Sequence, residues 1–256
     1  MTGSTPRSSR RSRTIAGTVG LAFLLAAWEL ASLVLGKAII LPSPLLVLRT
    51  ALELYPTPAF LSALLATSLR GLAAFAISSA LGIAAGLTSG LRPSFGAALA
   101  PLLTAIRATP VLALALIALL WFPSDFVPIF TAFLMAFPVM TTSAAEGAKA
   151  ADPRLLEMSR LFRVPRRKVL LDLRLPAAAP HLIAGAKSSL GLSWKVVVAG
   201  EILSQPDRAL GTGMQGARML LETSSVFAWA LAAVALCALT EWAFALAARK
   251  AADYGL

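Results

Sequence analysis

The sequence predicts an all-α integral membrane protein with six spanning helices, and three observations support this fold class. Hydrophobic residues make up 58% of the 256 residues and charged residues only 14%, whereas a soluble domain is nearer half apolar and a quarter charged. The apolar residues form runs of about 20, the length that a helix needs to cross a bilayer. Basic residues cluster at the ends of these runs, as they do when they orient helices in a membrane.

Six apolar runs carry the predicted spans, and a short segment between the first two differs from them. The spans cover residues 15–35, 64–88, 101–122, 127–145, 181–203 and 226–247. Prolines bracket residues 45–54, whose leucines share a face, so we expect a short amphipathic helix on the outer membrane surface. Pro110 and Pro138 fall inside the third and fourth spans, where a proline kinks a helix and usually lies against protein or a cavity.

The net charge of +11 is unevenly distributed along the chain. Basic residues are dense before the first span, in residues 146–180 and after the last span. The positive-inside rule therefore predicts that both termini and residues 146–180 lie in the cytoplasm. Because these cations flank apolar runs and do not cover one polar face, nucleic acid is not an expected partner. Residues 1–13, rich in Ser, Thr and Arg, are expected to be disordered, and residues 14–256 to form a single membrane domain.

Small residues recur along the second span at four-residue spacing. They are Ser78, Gly82, Gly86 and Gly90. Small residues at this spacing let two helix backbones approach closely in lipid, so we expect this span to be buried in the bundle. Arg70 lies near the outer end of the same span and is expected to snorkel towards the membrane surface.

Residues 146–180 form the longest polar interruption of the chain. Asp152 followed by Pro153 predicts a helix start, and Val164 followed by Pro165 ends that helix and opens a second short one. The segment is therefore predicted to be a helix–turn–helix on the cytoplasmic face, and we interpret it as the docking surface for a soluble partner. Contact with anionic membrane lipid is the alternative interpretation of a basic amphipathic element.

The pattern within this segment resembles the EAA loop of permease subunits of ATP-binding-cassette (ABC) importers. That loop reads Glu-Ala-Ala, three further residues, a glycine and, later, a Leu-Pro pair. Glu157 and Leu175-Pro176 match this pattern, whereas Met158-Ser159 replaces the alanines and Arg163 replaces the glycine. Since glycine suits a left-handed turn, an arginine that keeps the same dihedral angles costs about 1–3 kcal/mol.

Other short motifs extend the resemblance over nearly the whole chain, towards the nitrate, sulfonate and taurine branch of these permeases. They are Trp28-Glu29, Leu41-Pro42-Ser43-Pro44, Ser68-Leu69-Arg70 with Gly82 and Gly86, Thr109-Pro110 to Leu120-Trp121-Phe122, and Ser193-Trp194-Lys195 to Glu201. The resemblance implies the type I ABC importer permease fold, with six spans and a cytoplasmic coupling helix pair. It also implies a homodimer in the cytoplasmic membrane of a prokaryote, a separate cytoplasmic ATPase subunit that hydrolyses the ATP, and a periplasmic or lipid-anchored solute-binding protein.

Two sets of site residues follow. The expected ATPase-docking residues are Asp152, Leu155, Leu156, Glu157, Ser159, Arg160, Phe162 and Arg163. The expected substrate path includes Arg107, Pro110, Ser189, Ser193, Trp194 and Lys195, because ionisable residues within spans are candidates for function.

The expected solute is a small anion such as nitrate, a sulfonate or taurine, for which Lys195 and Arg107 would provide positive charge. The alternative solute is a neutral or cationic small molecule, such as a thiamine or riboflavin precursor. The alternative explanation of the charges is that the lysine snorkels and that the arginine pairs with a carboxylate such as Glu201.

Two other classes of membrane protein fit the sequence less well. An integral-membrane enzyme would need a catalytic cluster, but the chain has one histidine and one cysteine, His181 and Cys237, and no paired carboxylates at one depth. Accordingly, no cofactor and no metal site are expected. A secondary transporter would need acidic residues in the middle of its spans, whereas Glu29, Glu201 and Glu241 fall nearer the ends of theirs.

Overall fold

The computed structural model describes residues 8–253, and its regular secondary structure is helical. The helices are α1 (Ser8–Leu35), α2 (Pro44–Leu54), α3 (Pro58–Leu91), α4 (Pro93–Ala108), α5 (Val111–Ala118), α6 (Val127–Lys149), α7 (Pro153–Leu161), α8 (Arg166–Lys168), α9 (Leu175–Ser204), α10 (Leu210–Met219) and α11 (Thr223–Asp253). The predicted disorder of residues 1–13 falls mainly on residues 1–7, which lie outside the described residues, while residues 8–13 belong to α1.

Five helices of the described chain are long and apolar enough to cross a membrane: α1, α3, α6, the continuous run Arg166–Ser204, and α11. The helical membrane fold predicted from the sequence is thereby confirmed. The third predicted span, however, is not one helix. It is divided between α4 and α5, whose axes meet at an angle of 96°. Pro110 stands between them and lacks the N–H that a continuing helix requires.

The second helix of the predicted helix–turn–helix is not separate from the fifth span. It merges with α9, so that the helical run continues from Arg166 to Ser204. A π-helical turn, Val169–Arg174, lies directly before Pro176, where the missing proline N–H disturbs the regular bonding pattern. As a result, α7 is joined through one short turn to a helix that crosses the membrane.

Three helices, α3, α6 and α9, form the core of the bundle. The small residues of α3 lie against α6: a Cβ built at Gly82 would lie 2.7 Å from the Met140 Cβ, and one built at Gly90 would lie 2.5 Å from the Ala148 Cβ. The Ser78 hydroxyl lies 3.4 Å from the Phe133 carbonyl oxygen of α6. The two backbones are thus closer than any larger side chains at these positions would allow.

The remaining helices surround this core unevenly. The protein-facing side of α2 carries Val47 and Ala51, while Leu45, Leu46, Leu48 and Leu52 are exposed. Helix α1 meets the rest of the chain near its C-terminal end, where the Trp28 indole N–H donates to the Pro42 carbonyl at 3.0 Å and the Ser32 hydroxyl donates to that of Leu41 at 3.0 Å. We call the end of the bundle with α7 and α8 the α7 end, and the opposite end, with α10 and the α5–α6 loop, the α10 end.

Candidate functional site

Helix α7 is a short, capped helix at the polar end of the bundle. The Asp152 carboxylate accepts a hydrogen bond from the Arg154 backbone N–H at 2.8 Å, and Pro153 occupies the first turn. These are the start signals that the sequence contains. Among the expected docking residues, most are exposed: Asp152, Leu155, Glu157, Arg160, Phe162 and Arg163. Leu156 is half-buried, and Ser159 is buried, with its hydroxyl donating to the Leu156 carbonyl at 2.7 Å, so Ser159 is not available to a partner.

The end of α7 carries two apolar side chains in an open position. Leu161 is 82% exposed and Phe162 is 77% exposed. Both stand beside the basic residues of the hairpin. Apolar side chains of this size at a polar surface mark a site of association with protein or lipid.

Arg163 occupies the position of the expected motif glycine and has that residue's backbone conformation, with φ of 49°. The Arg163 N–H donates to the Arg160 carbonyl at 3.1 Å, and the Val164 N–H donates to that of Ser159 at 2.9 Å. This pair of bonds is a Schellman motif, in which the residue with positive φ is usually glycine. The turn therefore forms with an arginine in place of the glycine, and the left-handed conformation of this arginine destabilises the fold by about 1–2 kcal/mol.

A groove of ≈ 690 Å³ lies behind α7, between the hairpin and the end of α3. We call it the arginine groove. Its lining residues are Leu91, Leu156, Ser159, Arg160, Arg163, Val164, Arg166, Val169, Leu170 and Arg174. Its lining thus combines four arginines with apolar residues.

At the α10 end, Arg70 does not snorkel as the sequence suggested. It is only 8% exposed. Its Nη1 donates to Glu201 Oε1 at 3.0 Å and to the Arg208 carbonyl at 2.8 Å, and its Nη2 donates to Asp125 Oδ1. The prediction was wrong because a carboxylate on α9 faces Arg70 inside the bundle. A paired, hydrogen-bonded guanidinium has no need to reach the membrane surface.

Glu201 is fully buried, and further donors surround its carboxylate. The Thr67 hydroxyl donates to Oε1 at 2.9 Å, and the Gly211 N–H donates to Oε2 at 3.1 Å. The Thr67 oxygen in turn accepts from the Leu210 N–H at 3.0 Å. This network joins α3, α9, the start of α10 and the α5–α6 loop into one unit.

Arg107, expected on the substrate path, bridges two helices. Its Nη2 donates to the Pro138 carbonyl at 2.9 Å and to the Thr142 hydroxyl, so it ties the end of α4 to α6. The carboxylate partner considered for it from the sequence, Glu201, is bound by Arg70 instead. Pro110 is exposed at the bend between α4 and α5.

Lys195 lies at the junction of two cavities on the face between α9 and α11. One cavity, of ≈ 500 Å³, extends towards Met214 of α10 and is mainly apolar. The other, of ≈ 540 Å³, contains Lys187, Ser188 and Gly191. Glu241 of α11 lines both cavities together with Lys195.

Glu241 lies against the glycine that separates the two lysines. Lys187, Gly191 and Lys195 follow one another at four-residue spacing on one face of α9, and a Cβ built at Gly191 would clash with the Glu241 carboxylate. In the described part of the chain, neither lysine and no atom of Glu241 takes part in an ion pair within 4.0 Å. With two ammonium groups and one carboxylate, the cavity has a positive balance.

The other expected path residues pack inside the bundle. The Ser189 hydroxyl lies 3.4 Å from the Ala136 carbonyl of α6, and the Ser193 hydroxyl donates to the Ser189 carbonyl at 2.8 Å. The Trp194 ring is buried against Gly71 of α3, although it also borders the cavity beside Lys195. Glu241 was not predicted at this site, because the sequence of α11 carries no signal of where this helix meets α9.

No cluster of three or more His, Cys, Asp and Glu side chains with metal-binding geometry occurs among the residues that the structure describes. The features found there are a bundle with several membrane-crossing helices, a capped polar hairpin at one end and a charged cavity along one helix face. Together these features define a multi-span helical membrane protein with a polar hairpin at one end and a charged cavity along one helix.

Comparison with known proteins identifies the family. Residues 78–253 match the family of binding-protein-dependent transport system inner membrane components, and the chain belongs to this family. The chain is 27% identical over 231 residues to the putative aliphatic sulfonates transport permease protein SsuC of Bacillus subtilis, covering 90% of this chain and 83% of that protein. It is 30% identical over 235 residues to the taurine transport system permease protein TauC of Escherichia coli, covering 89% and 85%.

A third relative matches a shorter stretch. The bicarbonate transport system permease protein CmpB of Synechococcus elongatus is 32% identical over 130 residues, covering 50% of this chain and 47% of that protein. The names of the three relatives refer to aliphatic sulfonates, taurine and bicarbonate.

Proposed function

We propose that this chain forms the solute pathway of an ATP-driven importer and that α7 couples the pathway to a separate ATPase subunit. The exposure of Leu161 and Phe162 at the end of a capped helix carries this proposal. An exposed aromatic or aliphatic anchor surrounded by polar residues is the usual centre of a protein–protein contact. ATP binding and hydrolysis then take place on the partner.

The position of α7 in the chain suits this role. It connects α6 to the helical run Arg166–Ser204, and both of these helices belong to the bundle core with α3. A displacement of α7 by the ATPase therefore acts directly on two core helices, without a flexible segment of more than a few residues in between. Packed helices respond to such a force by rigid-body shifts.

The proposed orientation and assembly follow the charge distribution and the family. The α7 end and both chain termini lie in the cytoplasm, because the basic residues concentrate there. A solute-binding protein delivers the solute at the α10 end. Two copies of the chain enclose the pathway, each with its own ATPase subunit, in the cytoplasmic membrane of a prokaryote.

The proposed solute is a small anion. Its pathway passes the cavity with Lys187 and Lys195, whose ammonium groups lie within a membrane-crossing helix and have no ion-pair partner in the described part of the chain. Ionisable residues in such positions usually mark a solute or ion pathway. The names of the relatives support an anionic group on the solute, since sulfonates and bicarbonate are anions and taurine, although zwitterionic, carries a sulfonate.

Coupling is tested with a matched pair of variants. Leu161→Ser removes an apolar side chain from α7, and Leu120→Ser makes the same change at the α10 end, where Leu120 is 77% exposed. We expect Leu161→Ser to reduce co-purification of the ATPase subunit at least about tenfold, the effect of losing one interface hot spot. Leu120→Ser should leave it unchanged. Equal retention of the ATPase by both variants would refute docking through α7.

The solute class is tested in proteoliposomes that contain the purified importer and its binding protein. Lys195→Gln removes one positive charge from the cavity and should lower anion uptake while ATPase co-purification stays normal. Lys37→Gln, the same change in the loop between α1 and α2, is the control. Unchanged uptake by the Lys195 variant would remove this residue from the pathway and leave the coupling proposal intact.

A further inference from the structure

The arginine groove carries positive charge that the chain itself does not balance. Four arginines line it, whereas Glu157 and Asp172 of the same hairpin do not. Both ion pairs within 4.0 Å in the described part of the chain involve Arg70, at the other end of the bundle. Like charges gathered around one groove repel one another until an anion enters it.

One of the four arginines occupies a position where a glycine would form the same turn without strain. Arg163 has φ of 49°, and the Schellman bonds around it involve only backbone atoms. Nothing in the turn needs its side chain. Arg163 does, however, line the arginine groove and adds a positive charge to it. Backbone strain that persists at such a position points to a function for the residue that carries it.

The groove also lies beside the ends of two membrane-crossing helical runs. Leu91 is the last residue of the spanning helix α3, and Arg166 is the first residue of the run that continues into α9. Between the arginines, the wall is formed by apolar side chains, including Val169 and Leu170. A ligand that fits must therefore combine an anionic group with an apolar body and be available at the membrane surface.

We propose that the arginine groove binds an anionic phospholipid. Its phosphate accepts hydrogen bonds from the guanidinium groups, which match phosphate geometry in a bidentate manner. Its acyl chains extend along Leu91 and Leu170 into the bilayer. Leu161 and Phe162 do not line the groove, so a lipid bound there leaves these exposed side chains available to the ATPase. This site is additional to solute transport and does not depend on the identity of the solute.

The site is tested by native mass spectrometry of the purified permease–ATPase complex, delipidated in detergent and titrated with dioleoyl phosphatidylglycerol. Dioleoyl phosphatidylcholine, with the same chains and no net charge, is the comparison lipid. The complex should bind phosphatidylglycerol more tightly than phosphatidylcholine. Arg163→Gly should weaken its binding about fivefold, the contribution of one basic residue to binding of an anionic lipid. Arg167→Gln, which removes one charge from the same hairpin outside the groove, should leave it unchanged.

Arg163→Gly removes the positive-φ arginine and should fold at least as well as the parent, which a thermal melt checks. Arg174→Gln repeats the test at a helical position of the groove and should weaken lipid binding to a similar degree. Equal lipid binding by the groove variants and the Arg167 variant overturns the proposal. Displacement of the lipid by inorganic phosphate or glycerol 3-phosphate also overturns it, since the groove would then be a site for free phosphate. Lipid binding that requires removal of the ATPase subunit would show that the arginines face the partner protein instead.

Discussion

The charged residues at the two ends of the bundle lie in opposite environments. At the α10 end, Arg70 and Glu201 are buried, paired at 3.0 Å and surrounded by further hydrogen bonds. At the α7 end, the arginines of the hairpin are exposed or line an open groove, and two large apolar side chains stand beside them.

The charged residues at the α10 end therefore stabilise the fold, whereas those at the α7 end can bind other molecules. A buried guanidinium or carboxylate costs several kcal/mol unless it is paired, so each partner at the α10 end depends on the other. The charges at the α7 end are hydrated and contribute little to folding, so they are free to meet other molecules. The α10 end thus connects helices through a buried ion pair and hydrogen bonds, whereas the α7 end is an exposed surface for binding.

The strongest test of the comparison is Glu201→Ala. The change leaves Arg70 buried without the fully buried carboxylate that faces it, and we expect a loss of about 3–5 kcal/mol in the free energy of unfolding. Denaturant titration of the purified chain in detergent measures the loss. Asp125→Asn is the matched control, because the Asp125 side chain is 70% exposed although it also contacts Arg70. Its effect should stay below about 1 kcal/mol. Similar losses for both variants would mean that burial does not distinguish the two carboxylates.

An intermediate effect is expected in the core that connects the two ends. Gly86→Ala places a methyl group against the Thr141 carbonyl and the Ala144 Cβ of α6, and it should cost about 1–3 kcal/mol. Gly216→Ala makes the same change on α10, where the added methyl group meets no atom within 4 Å. Because alanine has a higher helix propensity than glycine, Gly216→Ala should raise the free energy of unfolding by up to about 1 kcal/mol. The same titration compares the two, and a destabilising Gly216→Ala would contradict the assignment of α10 as a helix with one open face.

The smallest effect is expected at the α7 end and has the opposite sign. Arg163→Gly should raise stability by about 1 kcal/mol, because glycine adopts the positive φ without strain. Arg160→Gly, three residues earlier inside α7, should lower it by a similar amount, because glycine disfavours helix. Thermal melts in lipid-free detergent measure both. A loss of stability in Arg163→Gly would show that its side chain stabilises the hairpin by itself.

Much of the fold was predictable because the relevant signals are local. Apolar runs marked every helix that crosses the bundle, and Asp152-Pro153 marked the start of α7. The third span is broken more sharply than predicted: Pro110 was interpreted as a kink, while the structure has an angle of 96° between two helices that are long and apolar enough together to form one span. A proline shows where a helix is disturbed, but the packing around it determines by how much.

The candidate sites were predicted less completely, and for a different reason. Arg70 was assigned to the membrane surface and Arg107 to a possible pair with Glu201, whereas Arg70 holds Glu201 and Arg107 bonds to α6. The sequence shows that two arginines and one glutamate lie in spans, but not which pair faces each other. Glu241 was missed beside Lys195 for the same reason.

The sequence alone determined that this is a helical membrane protein, where helix α7 of its polar hairpin begins and ends, and which turn position departs from the family pattern at Arg163. Those features depend on the hydrophobicity and backbone preferences of neighbouring residues. Only the tertiary structure decided the partner of each buried charge, the bend at Pro110 and the arginine groove. These depend on contacts between residues far apart in the chain, and such contacts follow from how whole helices pack.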